Sequence, residues 1–219
     1  MTGIEQITEA QAIDAHLNDR PPITLPDGTK IKVTSGLWAC VCDTRNFTGR
    51  DSAGKVIDFE KCRSWLGNIG YLVLLDQIGS CFKDRNKAIE TGSSIQTALK
   101  YFSNISQDEV DAIYALRCAL AHDYSLVNKN ASRLNLQHQF ALTGGTGTLM
   151  VNPLQPWDGD MLNRSQNNQT LIDLQQLGNL VEDVYAKVLE LASRSELEVV
   201  LAGGKNELIA RYTFAYQVP

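Results

Sequence analysis

The sequence predicts a mainly α fold, an up-and-down helical bundle with an inserted β-hairpin and a small N-terminal α/β extension. Three observations lead there. Apolar residues recur at alternating three- and four-residue spacing over residues 59–73 and again over residues 174–191, the period of a helix with one buried stripe. Between those segments stands a complete helix-start signal, Ser106-Gln107-Asp108-Glu109. Its serine and glutamate can satisfy each other's backbone N–H groups at the first turn. Strand-like alternation is confined to three short stretches, residues 23–33, 134–151 and 208–218.

In chain order, a short helix over about residues 4–17 is stopped by Pro21-Pro22, which cannot continue a helix. Residues 23–33 alternate around Asp27-Gly28, a hairpin signal. Residues 43–55, rich in Gly, Asp, Ser, Thr and Arg, read as a loop. Residues 1–55 are therefore expected to form an extension packed on a helical domain of residues 56–219. In that domain Phe59, Cys62, Leu66, Ile69 and Val73 predict one buried stripe of a long helix, which turns polar at Asp76. Ile95, Leu99 and Phe102 predict a second, shorter helix. The third runs from residue 107 to about residue 122, with Ile105 and Val110 as its hydrophobic staple.

A β-hairpin is expected over about residues 133–152, turning at Thr143-Gly144-Gly145-Thr146-Gly147. Those glycines lack the Lys-Ser/Thr and the helix that would follow in a phosphate loop, so they read as a tight turn. Residues 152–168, rich in Pro and Asn, read as loop. The last long helix is expected from near Thr170, with Asp173 in its first turn. Its seam is Leu174, Leu177, Val181, Val184, Val188 and Leu191. A short strand closes the chain after Gly203-Gly204.

The 219 residues carry a net charge of −5. This excludes an all-round basic surface for nucleic acid but leaves room for a local basic cleft. The opening Met-Thr-Gly-Ile-Glu-Gln has neither the basic nor the apolar part of a secretory signal. The most apolar stretch, residues 65–82, is interrupted by Asn68, Asp76 and Gln77, which argues against a membrane span. Five cysteines, an odd number, predict free thiols in a reducing compartment, and a cytoplasmic location is expected. Cys40 and Cys42 have no second Cys/His pair at zinc spacing, so no metal and no cofactor is expected. Without export, the Asn-x-Ser/Thr sequons at Asn46, Asn104, Asn130, Asn163 and Asn168 are only polar loop composition.

The chemically loaded segment is Arg117-Cys118-Ala119-Leu120-Ala121-His122-Asp123-Tyr124. Residues 112–121 are apolar or weakly polar except for Arg117, and a helix apolar all round is a buried one. A buried arginine is costly unless it meets a carboxylate, a bound anion or an open cleft. Five residues turn a straight helix by roughly 140°, so Arg117 and His122 do not share a face. They converge if the helix ends near Ala121, or if a second subunit brings its copy alongside. Cys118 and His122, four apart, stack on one face.

Arg-x4-His-x-Tyr inside an apolar helix resembles the signature of the HEPN superfamily (higher eukaryotes and prokaryotes nucleotide-binding). Residues 116–122, Leu-Arg-Cys-Ala-Leu-Ala-His, are similar to the Leu-Arg-Asn-x-Leu-Ala-His wording common in that family. The resemblance implies an HEPN-like helical bundle and a homodimer in which two motifs face one cleft. It also implies metal-independent RNA cleavage of toxin or defence type, with Arg117 on the phosphate and His122 as acid or base. A protein antitoxin is implied as partner, and Tyr124 matches a tyrosine that such partners modify. Active family members usually carry Asn, Asp or His where this chain has Cys118.

Three other readings stand beside it. Arg117 pairs internally with Asp76 or Asp123 while His122 caps its helix, and Tyr124 simply packs or hydrogen-bonds. Alternatively the chain is a non-catalytic helical module that binds RNA, a nucleotide or a protein partner. Lastly, Cys118 and His122 form the pair of a cysteine hydrolase.

Overall fold

A computed structural model describes residues 6–218; Met1–Glu5 and Pro219, and with them the first residues of the expected N-terminal helix, lie outside it. In chain order the chain forms α1 (Glu9–Leu17), β1 (Ile23–Thr24), β2 (Lys30–Ser35), α2 (Gly36–Phe47), α3 (Trp65–Cys81), β3 (Phe82–Asp84), α4 (Ser94–Phe102) and α5 (Gln107–Asp123). There follow β4 (Val127–Asn128), β5 (His138–Thr143), β6 (Met150–Val151), β7 (Gln169–Asp173), α6 (Leu174–Ser193), β8 (Leu197–Val199), α7 (Gly204–Tyr212) and β9 (Thr213–Val218). Helix makes up 49% and strand 17%, with seven helices and three sheets among the described residues.

The fold is therefore mixed α/β, and the expected mainly helical bundle is wrong. The strands find partners far along the chain, which hydrophobic periodicity cannot register. The described residues form two compact units, one from those up to residue 43, residues 74–102 and those from residue 184 onward, the other from residues 44–73 and 103–183.

In the first unit α1 opens with a reciprocal cap: Thr8 accepts from the Gln11 N–H and the Gln11 side chain accepts from the Thr8 N–H. The expected hairpin at Asp27-Gly28 forms, with Ile23 opposite Ile31. β2 then pairs along its whole length with β9, in a three-stranded sheet of order β1-β2-β9. β3 and β8 pair separately. The Ser35 hydroxyl accepts from the N–H groups of Leu37 and Trp38 and so caps α2, which runs into the segment expected to be loop. Helix α7 occupies the first half of the expected terminal strand. The expected short helix is α4, with Ile95, Leu99 and Phe102 buried. It lies so close to α3 that a Cβ on Gly79 would sit 1.8 Å from the Ser94 carbonyl oxygen.

In the second unit a four-stranded sheet has the order β4-β5-β7-β6. The expected hairpin of residues 133–152 does not exist. β5 pairs in parallel with β7, from Gln139 opposite Gln169 to Thr143 opposite Asp173, and β6 pairs with β7 on its other side. The glycine-rich segment is still a turn, held by Asp173, which accepts from the Thr146 N–H and hydroxyl. Asp173 also accepts from the N–H groups of Gln175 and Gln176. It is thus the N-cap of α6, and β7 takes the residues expected to be the first turn.

Two helical seams fared differently. On α6 every residue of the expected seam is buried. The expected stripe of residues 59–73 is largely exposed: Leu66 is 57% exposed and Val73 44%, Phe59 is exposed and Ile69 half-buried, and only Cys62, ahead of α3, is buried. On α3 Asn68, Tyr71, Leu72, Leu75 and Ile78 form the buried side. That helix is apolar on both sides, so spacing alone selects neither. Asn68 and Tyr71 are inside because polar partners await them. Asn68 Nδ2 donates to the Cys62 and Ser64 carbonyls, and the Tyr71 hydroxyl donates to Glu182 Oε1 at 2.8 Å. Arg45 clasps the same carboxylate with a 2.7 Å ion pair, and Arg50 donates to the Gly54 and Gln175 carbonyls and to Asn179.

Candidate functional site

Helix α5 positions the Arg-His-Tyr segment, and both of its ends are built from local sequence. At the start Ser106 accepts from the Glu109 N–H, and Glu109 Oε2 accepts from the Ser106 N–H at 2.8 Å. At the end Tyr124 adopts the left-handed conformation, φ 48° and ψ 42°. The chain folds back there, so the Tyr124 and Ser125 N–H groups reach the Leu120 and Ala119 carbonyls. A tyrosine in that region carries about 1–2 kcal/mol of strain that glycine would not, and such strain concentrates at functional sites.

Val110, Ile113, Leu116 and Leu120 anchor the buried side of α5. The expectation of a helix without a solvent face is not met. Tyr114, Arg117 and Cys118 are half-buried and Ala121 is exposed, giving one accessible stripe at helical spacing. Arg117 is therefore not sealed in the core, and the desolvation that made it suspicious is only partial.

The structure brings Arg117 and His122 together. Arg117 Nη1 lies 3.0 Å from His122 Nε2, although α5 continues through Asp123. The long guanidinium stem spans the turn that the Cα positions do not. Arginine has only donors, so Nε2 is the acceptor in this contact. Both groups lie at the surface, where a bound molecule can reach them.

The other predicted residues sit around this pair. The Tyr124 ring, 57% exposed, packs on Trp65 at 5.4 Å between centroids, tilted by 51°. Cys118 is engaged with Tyr114 one turn earlier; its thiol hydrogen-bonds the phenol, which pushes the Tyr114 pKa up. Cys118 and His122 thus engage different partners. Asp123 is exposed in the last turn of α5. Asp76 is half-buried on α3, within the first unit.

Trp65 and Tyr114 were missed in the sequence. Tyr114 was legible, standing four residues before Cys118 on the same face. Trp65 was not, because nothing local ties it to Tyr124. Among the described residues no group of three or more His, Cys, Asp or Glu could hold a metal ion. None of their helices is long and apolar enough to cross a membrane. The larger cleft of the first unit, about 600 Å³, contains none of these residues; Ile13, Leu189 and Ala192 line it, and its Arg20 is tied to Asp14 at 2.9 Å. Comparison with protein families, curated proteins and solved structures finds no match to this chain.

Proposed function

We propose that the C-terminal end of α5 is a metal-independent ribonuclease site, with Arg117 and His122 as its working pair. The observation that carries this reading is the 3.0 Å approach of the Arg117 guanidinium to His122 Nε2 at an accessible helix end. A phosphodiester accepting from Arg117 frees Nε2, which then takes the proton of the ribose 2′-hydroxyl. The 2′-oxygen bonds to phosphorus and the bond to the 5′-oxygen breaks, leaving a 2′,3′-cyclic phosphate and, after protonation, a 5′-hydroxyl. Arg117 stabilises the charge that develops on the phosphoryl oxygens, worth about 3 kcal/mol. The Trp65–Tyr124 rings offer a surface on which a base can stack. The HEPN resemblance of residues 116–124 supports the same chemistry, and with it a homodimer in which the second copy's His122 protonates the leaving oxygen, and an antitoxin partner.

The test is incubation of purified protein with total RNA in EDTA, beside His122→Ala and Arg117→Ala. Cyclic-phosphate ends are expected from the wild type, reduced about a hundredfold or more in either variant. No cleavage by any of the three, or equal cleavage by all, overturns the reading. Cys118, where active HEPN proteins carry a hydrogen-bonding residue, favours a second reading, a module that binds RNA without cutting it. RNA retained in a gel shift and recovered intact would select that reading.

A further inference from the structure

A pocket of about 240 Å³ opens in the second unit beside Asp108, at the start of α5. It is remote from His122: the helix rises about 21 Å over the fourteen residues between them. Gln137, His138, Asn168 and Thr170 form its polar wall.

The Thr170 hydroxyl, one ring nitrogen of His138 and one N–H of each amide already donate within the protein. Gln137 Nε2 donates to the Trp157 carbonyl at 3.1 Å, and Asn168 Nδ2 to the Asn163 carbonyl at 3.0 Å. His138 Nε2 donates to the Asn135 carbonyl at 2.9 Å. That leaves Nδ1 to accept from the Thr170 hydroxyl at 2.9 Å, and burial favours this neutral ring by lowering the His138 pKa. Beyond the second N–H of each amide, what the wall still offers is acceptors. Asn168 is 5% exposed and its Oδ1 has no partner. The Gln137 side-chain oxygen and the exposed Asp108 carboxylate add to it. A buried acceptor left open in a native protein marks a place where something else donates.

We propose that this pocket binds a donor-only organic cation, an alkylammonium or guanidinium. Ammonium and guanidinium carry several N–H donors and no acceptor, the complement of this wall. An anion would meet the Asp108 carboxylate and the open amide oxygens. Leu134, Pro153 and Pro156 supply apolar surface for the methylene stem. The volume falls below the roughly 300–1,000 Å³ of pockets for larger ligands and suits one side-chain-sized group. The net charge of −5 draws a cation in.

Titration of ¹⁵N-labelled protein with n-butylguanidinium, n-butylammonium, the neutral n-pentanol and inorganic phosphate tests this by NMR. The two cations are expected to move the side-chain amide signals of Gln137 and Asn168 and the Trp157 indole signal, saturably. Pentanol and phosphate should leave them in place. Asp108→Asn, an exposed change that leaves the fold intact, should weaken the cations about fivefold. Acetyl-arginine methylamide and putrescine distinguish the source: tighter binding of the peptide points to a partner's basic side chain, tighter binding of putrescine to a free amine. Pentanol binding as well as the cations, phosphate binding instead of them, or no response to either cation overturns the proposal.

Discussion

Lowering the pH from 7.5 to 4.5 should weaken the first unit through His16. This residue, 0% exposed near the end of α1, has Nδ1 3.2 Å from the Ser35 hydroxyl. Because Ser35 Oγ already accepts from two backbone N–H groups, its own proton goes to Nδ1. The ring's other nitrogen, Nε2, has no partner, and the rings of Phe82 and Tyr212 lie 5.7 and 5.9 Å away. An imidazolium here would face apolar surface, and burial lowers the pKa from 6.5 to about 4. Between those two values the unfolded chain holds a proton that the native protein refuses. Stability from the neutral ring is therefore complete above pH 6.5 and lost as the pH falls towards 4. The gap corresponds to about 3 kcal/mol, most of it spent by pH 4.5. Urea unfolding followed by circular dichroism at pH 7.5, 6, 5 and 4.5 measures it, with His16→Gln as reference. His138 and the carboxylates titrate equally in both proteins and cancel. The variant should be the less stable protein at pH 7.5 and should close the gap, or overtake, by pH 4.5. Parallel loss in the two proteins would refute the assignment to His16.

Two further outcomes rest on packing. Glu182→Ala takes the carboxylate from the Arg45 guanidinium, whose side chain is only 10% exposed, and removes the acceptor of Tyr71. It should cost about 3–5 kcal/mol in urea unfolding, and a loss below 1 kcal/mol would mean that water replaces the carboxylate. Gly79→Ala would stabilise an isolated helix by about 1 kcal/mol, yet here the new methyl meets the Ser94 carbonyl oxygen. A net loss of about 1–3 kcal/mol is expected by thermal unfolding; a raised Tm would show that α4 yields easily.

What could be read from the sequence was what depends on near neighbours. The Ser106–Glu109 cap, the Asp27-Gly28 hairpin and the α6 seam are each specified within a few residues, and each is present. The α3 stripe failed because two apolar faces compete, and the choice is made by Glu182, more than a hundred residues away from Tyr71. The hairpin of residues 133–152 failed for a related reason. Met150 and Val151 have the composition of a strand, but their partners are Ile172 and Leu171 rather than the segment just before them. At the candidate site the Arg117–His122 approach was obscured by helix geometry: the 140° argument holds for Cα positions and ignores the reach of a guanidinium. The acceptor wall of the α5 pocket was invisible, since only the inventory of internal donors exposes it.

The pairing of β2 with β9 reaches into the order in which the protein is made. Ile31 and Val33 leave the ribosome well before their partners, Gln217 and Ala215, which are translated more than 180 residues later. At typical synthesis rates the wait is roughly 10–40 seconds. Throughout it β2 has only the two-residue β1 beside it, too little to stand alone in water. A nascent chain thus carries an open strand edge until β9 emerges, free to recruit the same edge of a neighbour on the same messenger RNA. Ribosomes widely spaced on that message, or a chaperone that shields residues 30–35, would favour the intramolecular closure.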